Sequence, residues 1–158
     1  MKSKVSYSRF VIIFTAIVVG LLYLGCIATV DNKPKFFILL ALYISLIISA
    51  LIFAPFYIKA DDAKITMGSI VRRQTIPMEE VESVELCPPT MGSMRILGSC
   101  GFMGYWGIYR EGGIGRYYAF YGKSSDCFLV RTKKGSSYML GCDNPGEMVD
   151  YIRSQIKR

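Results

Sequence analysis

The sequence predicts an α-helical transmembrane hairpin followed by a small, mainly-β domain closed by one C-terminal helix. Three observations predict it. The first 58 residues hold two long runs without a charge, and the next hundred switch to short alternating apolar runs broken by turn residues. The last fifteen residues carry a capped, amphipathic pattern. The chain has 158 residues, 52% of them apolar and 20% charged, with a net charge of +7. That composition excludes a disordered chain, which needs low hydrophobicity and high charge density. The chain has no histidine, which excludes imidazole general bases, Ser-His and Cys-His pairs, and histidine-bearing metal sites.

Residues 10–30 and 36–58 contain no charged residue. At about 1.5 Å of rise per residue they reach roughly 31 and 34 Å, enough for a hydrocarbon core of about 30 Å. Each is read as a membrane span. The connector 31–35 is short, so the helices form a tight antiparallel hairpin, with Pro34 placed where a first-turn proline loses no needed hydrogen bond. Basic residues set the orientation. Lys2, Lys4 and Arg9 precede the first span and Lys59, Lys64, Arg72 and Arg73 follow the second, against Lys33 and Lys35 in the connector. Both termini are therefore expected in the cytoplasm, with Tyr7, Phe56 and Tyr57 as interfacial aromatics. A signal peptide ending near Gly25-Cys26 is the rival reading. Tyr23 and the second span close behind it weigh against cleavage.

From Lys59 to Arg158 the chain reads as one domain. Tyr57 to Lys59 run off the second helix into a strand, which Asp61-Asp62 turn. Residues 64–76 are expected as one strand passing through Gly68 and ended by Pro77. Val81, Val84 and Leu86 mark a half-buried strand among Glu79, Glu80, Glu82 and Glu85, and Pro88-Pro89 forbid its continuation. Residues 127–132 and 136–140 flank Lys133-Lys134-Gly135 as a hairpin, with glycine available for positive φ. Asn144 suits an N-cap, Pro145 the first helical position and Glu147 the third. Met148, Val149, Ile152 and Ile156 then share one helical face, while Arg153, Lys157 and Arg158 sit favourably at the negative end of the helix dipole.

Between these elements Gly98, Gly101, Gly104 and Gly107 recur every third residue among aromatics. No buried strand feeds a helix that could aim its N-terminus at a phosphate, so a phosphate cradle is not expected. A bent β-hairpin is expected, its glycines permitting bulges and close approach. Tyr105, Trp106, Tyr109, Tyr117, Tyr118, Phe120 and Tyr121 cannot all face inward if the strands alternate. Tyr105, Trp106, Tyr109 and Tyr117 are taken as an exposed contact surface.

The two spans, residues 77–84, the 101–107 stretch, the 117–121 strand, and the final hairpin with its capped helix resemble bacterial PH-like membrane proteins over roughly residues 57–157. The resemblance implies a pleckstrin-homology-like fold of about seven antiparallel strands in two packed sheets, capped by the C-terminal helix. It also implies a binding or assembly role, with no catalytic residue and no cofactor.

Lys59 to Arg158 hold 14 basic and 11 acidic residues, too mild an excess for a nucleic-acid surface. Cys87, Cys100, Cys127 and Cys142 form no C-x-x-C pair, so no structural metal is expected, and in a reducing cytoplasm they are free thiols. Cys142, just before the helix, is the one candidate for a lowered thiol pKa. The expected function is a non-enzymatic interaction or assembly module at the cytoplasmic face of a bacterial inner membrane. Its expected partners are membrane lipid and either another copy, giving a homo-oligomer, or a membrane protein complex. The alternative is recognition of anionic lipid head groups through Lys64, Arg72 and Arg73.

Overall fold

The computed structural model describes residues 1–90 and 92–156. Two helices open the chain, α1 (Arg9–Ala28) and α2 (Lys33–Phe53). Both are long and apolar enough to cross a membrane, and only 6% of each apolar window is buried. The Ser8 side chain caps α1 by accepting from the Val11 N–H at 3.2 Å, and the Asn32 side chain caps α2 by accepting from Lys35. The second helix stops five residues before the end of the uncharged run. Pro55 disfavours a helical conformation at the residue before it, and Ala54 is accordingly extended, with ψ of 136°.

The chain turns from α2 directly into β2 (Tyr57–Ala60) and then β3 (Lys64–Gly68) and β4 (Arg73–Pro77). The single strand expected over 64–76 is two strands. Ser69 N–H donates to the Arg72 carbonyl at 2.8 Å, closing a tight turn. The first residues also join this sheet, as β1 (Lys2–Lys4), an element absent from the sequence reading. Lys2 pairs with Lys59 and Lys4 with Tyr57, and the Met1 amino group donates to the Ala60 carbonyl at 2.6 Å. Sheet A thus runs β1-β2-β3-β4, antiparallel throughout.

A 3-10 turn over Met78–Glu80 leads to β5 (Val81–Leu86). There follow β6 (Met94–Gly101), β7 (Gly104–Glu111), β8 (Gly115–Tyr121), β9 (Cys127–Thr132) and β10 (Ser137–Gly141). Sheet B has the order β5-β9-β10-β8-β7-β6. Among the described residues the strand count is therefore ten, not seven, and the pairing is not wholly antiparallel. After β8 the chain skips a position to place β9, so the β9–β10 hairpin returns β10 between them, parallel to β8.

The last element, α3 (Pro145–Ile156), buries Met148, Val149 and Ile152 as the helical spacing predicts. The expectation for Lys157 and Arg158 lies outside the described residues. These three side chains join Ile58, Ile65, Ile76, Phe128 and Leu140 in a core between the sheets and α3. Strand alternation gives sheet B a second core on its other face, built from Tyr109, Tyr117, Ala119, Leu129 and Met139. Because β5 and β6 are opposite edges of sheet B, the segment joining them must cross that face. Thr90 on this segment bonds Glu111 Oε1 through its N–H and its hydroxyl, at 3.1 and 2.5 Å. Ser93 meets the Tyr117 hydroxyl at 2.5 Å.

Candidate functional site

The glycine-aromatic segment folds as the β6–β7 hairpin, and its glycines allow two backbones to touch. Gly98 and Gly107 are register partners, with φ of 123° and 117°. A Cβ on Gly98 would lie 2.0 Å from the Trp106 carbonyl oxygen, and one on Gly107 would lie 2.1 Å from that of Leu97. Only glycine allows this contact.

The approach bends the ribbon and sends its aromatics inward. Tyr109 and Tyr117 are each 2% exposed, stacked at 6.0 Å, and the Tyr109 hydroxyl donates to the Ser99 carbonyl. Burial pushes the Tyr109 phenol well above its usual pKa. The exposed surface expected at these two residues is therefore a core, because the crossing segment covers the face that alternation alone leaves open. Tyr105 stacks on Tyr121 at 4.8 Å.

Trp106 meets the chain's own helix. Its indole stacks on Phe53, in the last turn of α2, at 5.1 Å and 16°, and its Nε1 is enclosed with no acceptor among the described residues. The hairpin turn is tied to α1 as well. Met103 N–H donates to Thr15 Oγ1 at 2.9 Å, and Gly101 packs beside Phe10 and Phe14. The large exposed apolar side chains left on this hairpin are Met94, Ile96 and Leu97, at 72%, 54% and 67% exposure on edge strand β6.

The basic residues assigned to lipid divide into two places. Arg72 lies over the Phe53 ring at 5.5 Å, and its neighbour Val71 donates its N–H to the Leu51 carbonyl at 3.2 Å. Ile70 and Val71 are exposed beside the end of α2. Arg73 opens β4, whereas Lys64 pairs with Pro77 at the far end of β3, about 13 Å away at strand rise. The three do not form one site.

Catalytic candidates fare no better. Cys142 is 1% exposed, and burial pushes its thiol up despite the nearby hydrogen bonds; it is not an activated nucleophile. Cys127 is raised in the same way. Glu80 pairs with Lys134 at 2.6 Å and Glu85 with Arg131 at 3.4 Å, so the acidic stretch is a solvated face rather than a cluster. No group of three histidine, cysteine, aspartate or glutamate side chains that could hold a metal ion occurs among the described residues. Tyr7 donates to the Pro55 carbonyl at 2.6 Å, and burial raises its phenol to about 12.

A cleft of about 590 Å³ opens between the sheets, beside β4. Tyr118, Tyr138 and Ile108 from sheet B face Gln74 and Thr75 of β4 across it, and Arg116 lies on its wall. A family model described as a bacterial PH domain matches residues 57–156. No curated protein matches the chain, and no solved structure does.

Proposed function

Because the chain belongs to the bacterial PH domain family, we propose that it is a non-enzymatic interaction module anchored in a bacterial inner membrane. Both termini face the cytoplasm, and the module assembles with protein there, a second copy of itself included. One observation carries the reading. The hairpin aromatics are engaged internally, while Met94, Ile96 and Leu97 stand exposed together on an edge strand. Apolar side chains grouped in this way mark contact surfaces. The bulge between Arg95 and Leu97 disrupts the strand there, so side-chain packing rather than sheet extension supplies the contact. Crosslinking in native membranes and the mass of the detergent-purified protein test it. Ile96→Glu with Leu97→Glu is expected to abolish crosslinked oligomers with an unchanged melting temperature. A wild-type chain that stays uncrosslinked and monomeric would sink the proposal.

Recognition of anionic lipid is a second reading, favoured by the bond from Val71 to Leu51 at the end of α2. Ile70 and Val71 would enter the interface, with Arg72 and Arg73 among the head groups. Lys64 has no part in it.

A further inference from the structure

We propose that the cleft beside β4 takes an extended acidic peptide, which adds to β4 as the missing fifth strand of sheet A. This site is separate from the β6 patch and does not depend on it. Sheet B is six strands wide and sheet A four. Beyond β4, sheet B continues without a facing strand among the described residues, and the half-buried Tyr118 and Ile108 line the base of the gap. At one end of β4, Phe53 fills this gap, held between Trp106 of sheet B and Arg72 at the β3–β4 turn. Past Phe53 the cleft runs along Gln74 and Thr75 of β4.

The register gives the edge its chemistry. Ser69 bonds Arg72, and Met78 N–H donates to the Ala63 carbonyl at 2.8 Å. Paired residues that exchange bonds recur at every second position of an antiparallel ladder, so Gln74 and Ile76 bond to β3 through their partners Met67 and Ile65. The N–H and C=O groups of Arg73 and Thr75 therefore point the other way, out of the sheet edge. Such a row recognises another extended backbone. Pro77 has no N–H, so the usable edge stops there, and its five residues span about 17 Å.

Charge selects among peptides. Among the described residues Arg116 is the one charged residue lining the cleft and no acidic one lines it; Arg73 opens β4 just before the lining Gln74, and Arg72 precedes it over the Phe53 ring. An added strand alternates its side chains. The set facing sheet B would meet Tyr118 and Ile108, with Arg116 on the same strand face as Tyr118, and the other set would carry its carboxylates beside the outward-facing Arg73 of β4. The fitting ligand alternates apolar and acidic residues over about five positions.

The test uses the full chain in zwitterionic nanodiscs and a fluorescein-labelled hexapeptide of alternating valine and glutamate, read by anisotropy. Saturable binding is expected. It should weaken about tenfold or more with glutamine in place of glutamate, and equally with Arg73→Ala. Thr75→Pro removes an outward N–H while sparing the bonds to β3, so it should also weaken binding with an unchanged melting curve. A hexapeptide N-methylated at alternate residues makes the same measurement on the wild-type chain, should Thr75→Pro disturb the fold. Failure of the hexapeptide to bind, or binding indifferent to glutamine replacement and N-methylation, would overturn the proposal. So would displacement of the hexapeptide by anionic vesicles in a manner lost in Arg116→Ala, which would make the cleft a head-group site.

Discussion

Gly107 and Gly115 have the same unusual backbone sign but differ in their surroundings, which separates two costs that glycine avoids. At Gly115 φ is 85° and a Cβ would meet open space, so Gly115→Ala should cost only the conformational term of about 1–2 kcal/mol. At Gly107 the same change adds a collision with the Leu97 carbonyl. Gly107→Ala should cost more than about 3 kcal/mol, because strain and overpacking combine. Thermal melts of both purified variants decide the matter, and equal losses would mean that β6 and β7 are not in close contact. The spacing of these glycines was plain in the sequence. The fate of Tyr109 and Tyr117 was not, since alternation sorts side chains into two faces but says nothing about what covers the second one. Here the cover comes from Thr90 and Ser93, whose contacts with Glu111 and Tyr117 lie 21 and 24 residues away in the chain.

Elements with a local signature were read correctly: the two apolar helices, the β9–β10 hairpin with Gly135 at φ 78°, and the amphipathic α3. The turn between β3 and β4 carries Ile70 and Val71 at its tip, residues that favour strands, so the sequence there reads as uninterrupted strand. Strand β1 escaped for another reason. Its polar-buried alternation spans only Lys2 to Val5, and its partner lies more than fifty residues along. The end of α2 has a role that no periodicity reports, as a wedge holding sheet B and the β3–β4 turn. Phe53→Ala should remove the stack on Trp106, a contact worth about 1 kcal/mol beyond its burial. Trp106 is the only tryptophan, so its fluorescence reports the contact directly. Acrylamide quenching should rise and emission shift to longer wavelength. An unchanged spectrum would show that Phe53 does not cover the indole.

Across the whole molecule, the helices and the sheets are joined at several places rather than by a single tether. Strand β1 enters sheet A ahead of α1, the β6–β7 turn bonds Thr15, and Trp106 rests on Phe53. Deleting residues 2–6 should therefore destabilise a domain that begins fifty residues later. It strips Val5 from the main core and turns β2, with Ile58 and Ala60 buried on it, into a bare edge open to other chains. Lower melting temperature and increased light scattering in the same detergent are expected; a melt identical to that of the full chain would refute the coupling. The placement of β1 also sets an order of events during synthesis. Ribosomes add roughly 5–20 residues per second, so the first strand emerges several seconds before β2 exists to receive it. During that interval both apolar helices must be made, and the first strand must wait on the side where the sheet will form. Completion of sheet A thus requires that the helical hairpin return the first strand to the side where β2 forms, because a hairpin that holds its N-terminus elsewhere leaves the sheet one strand short.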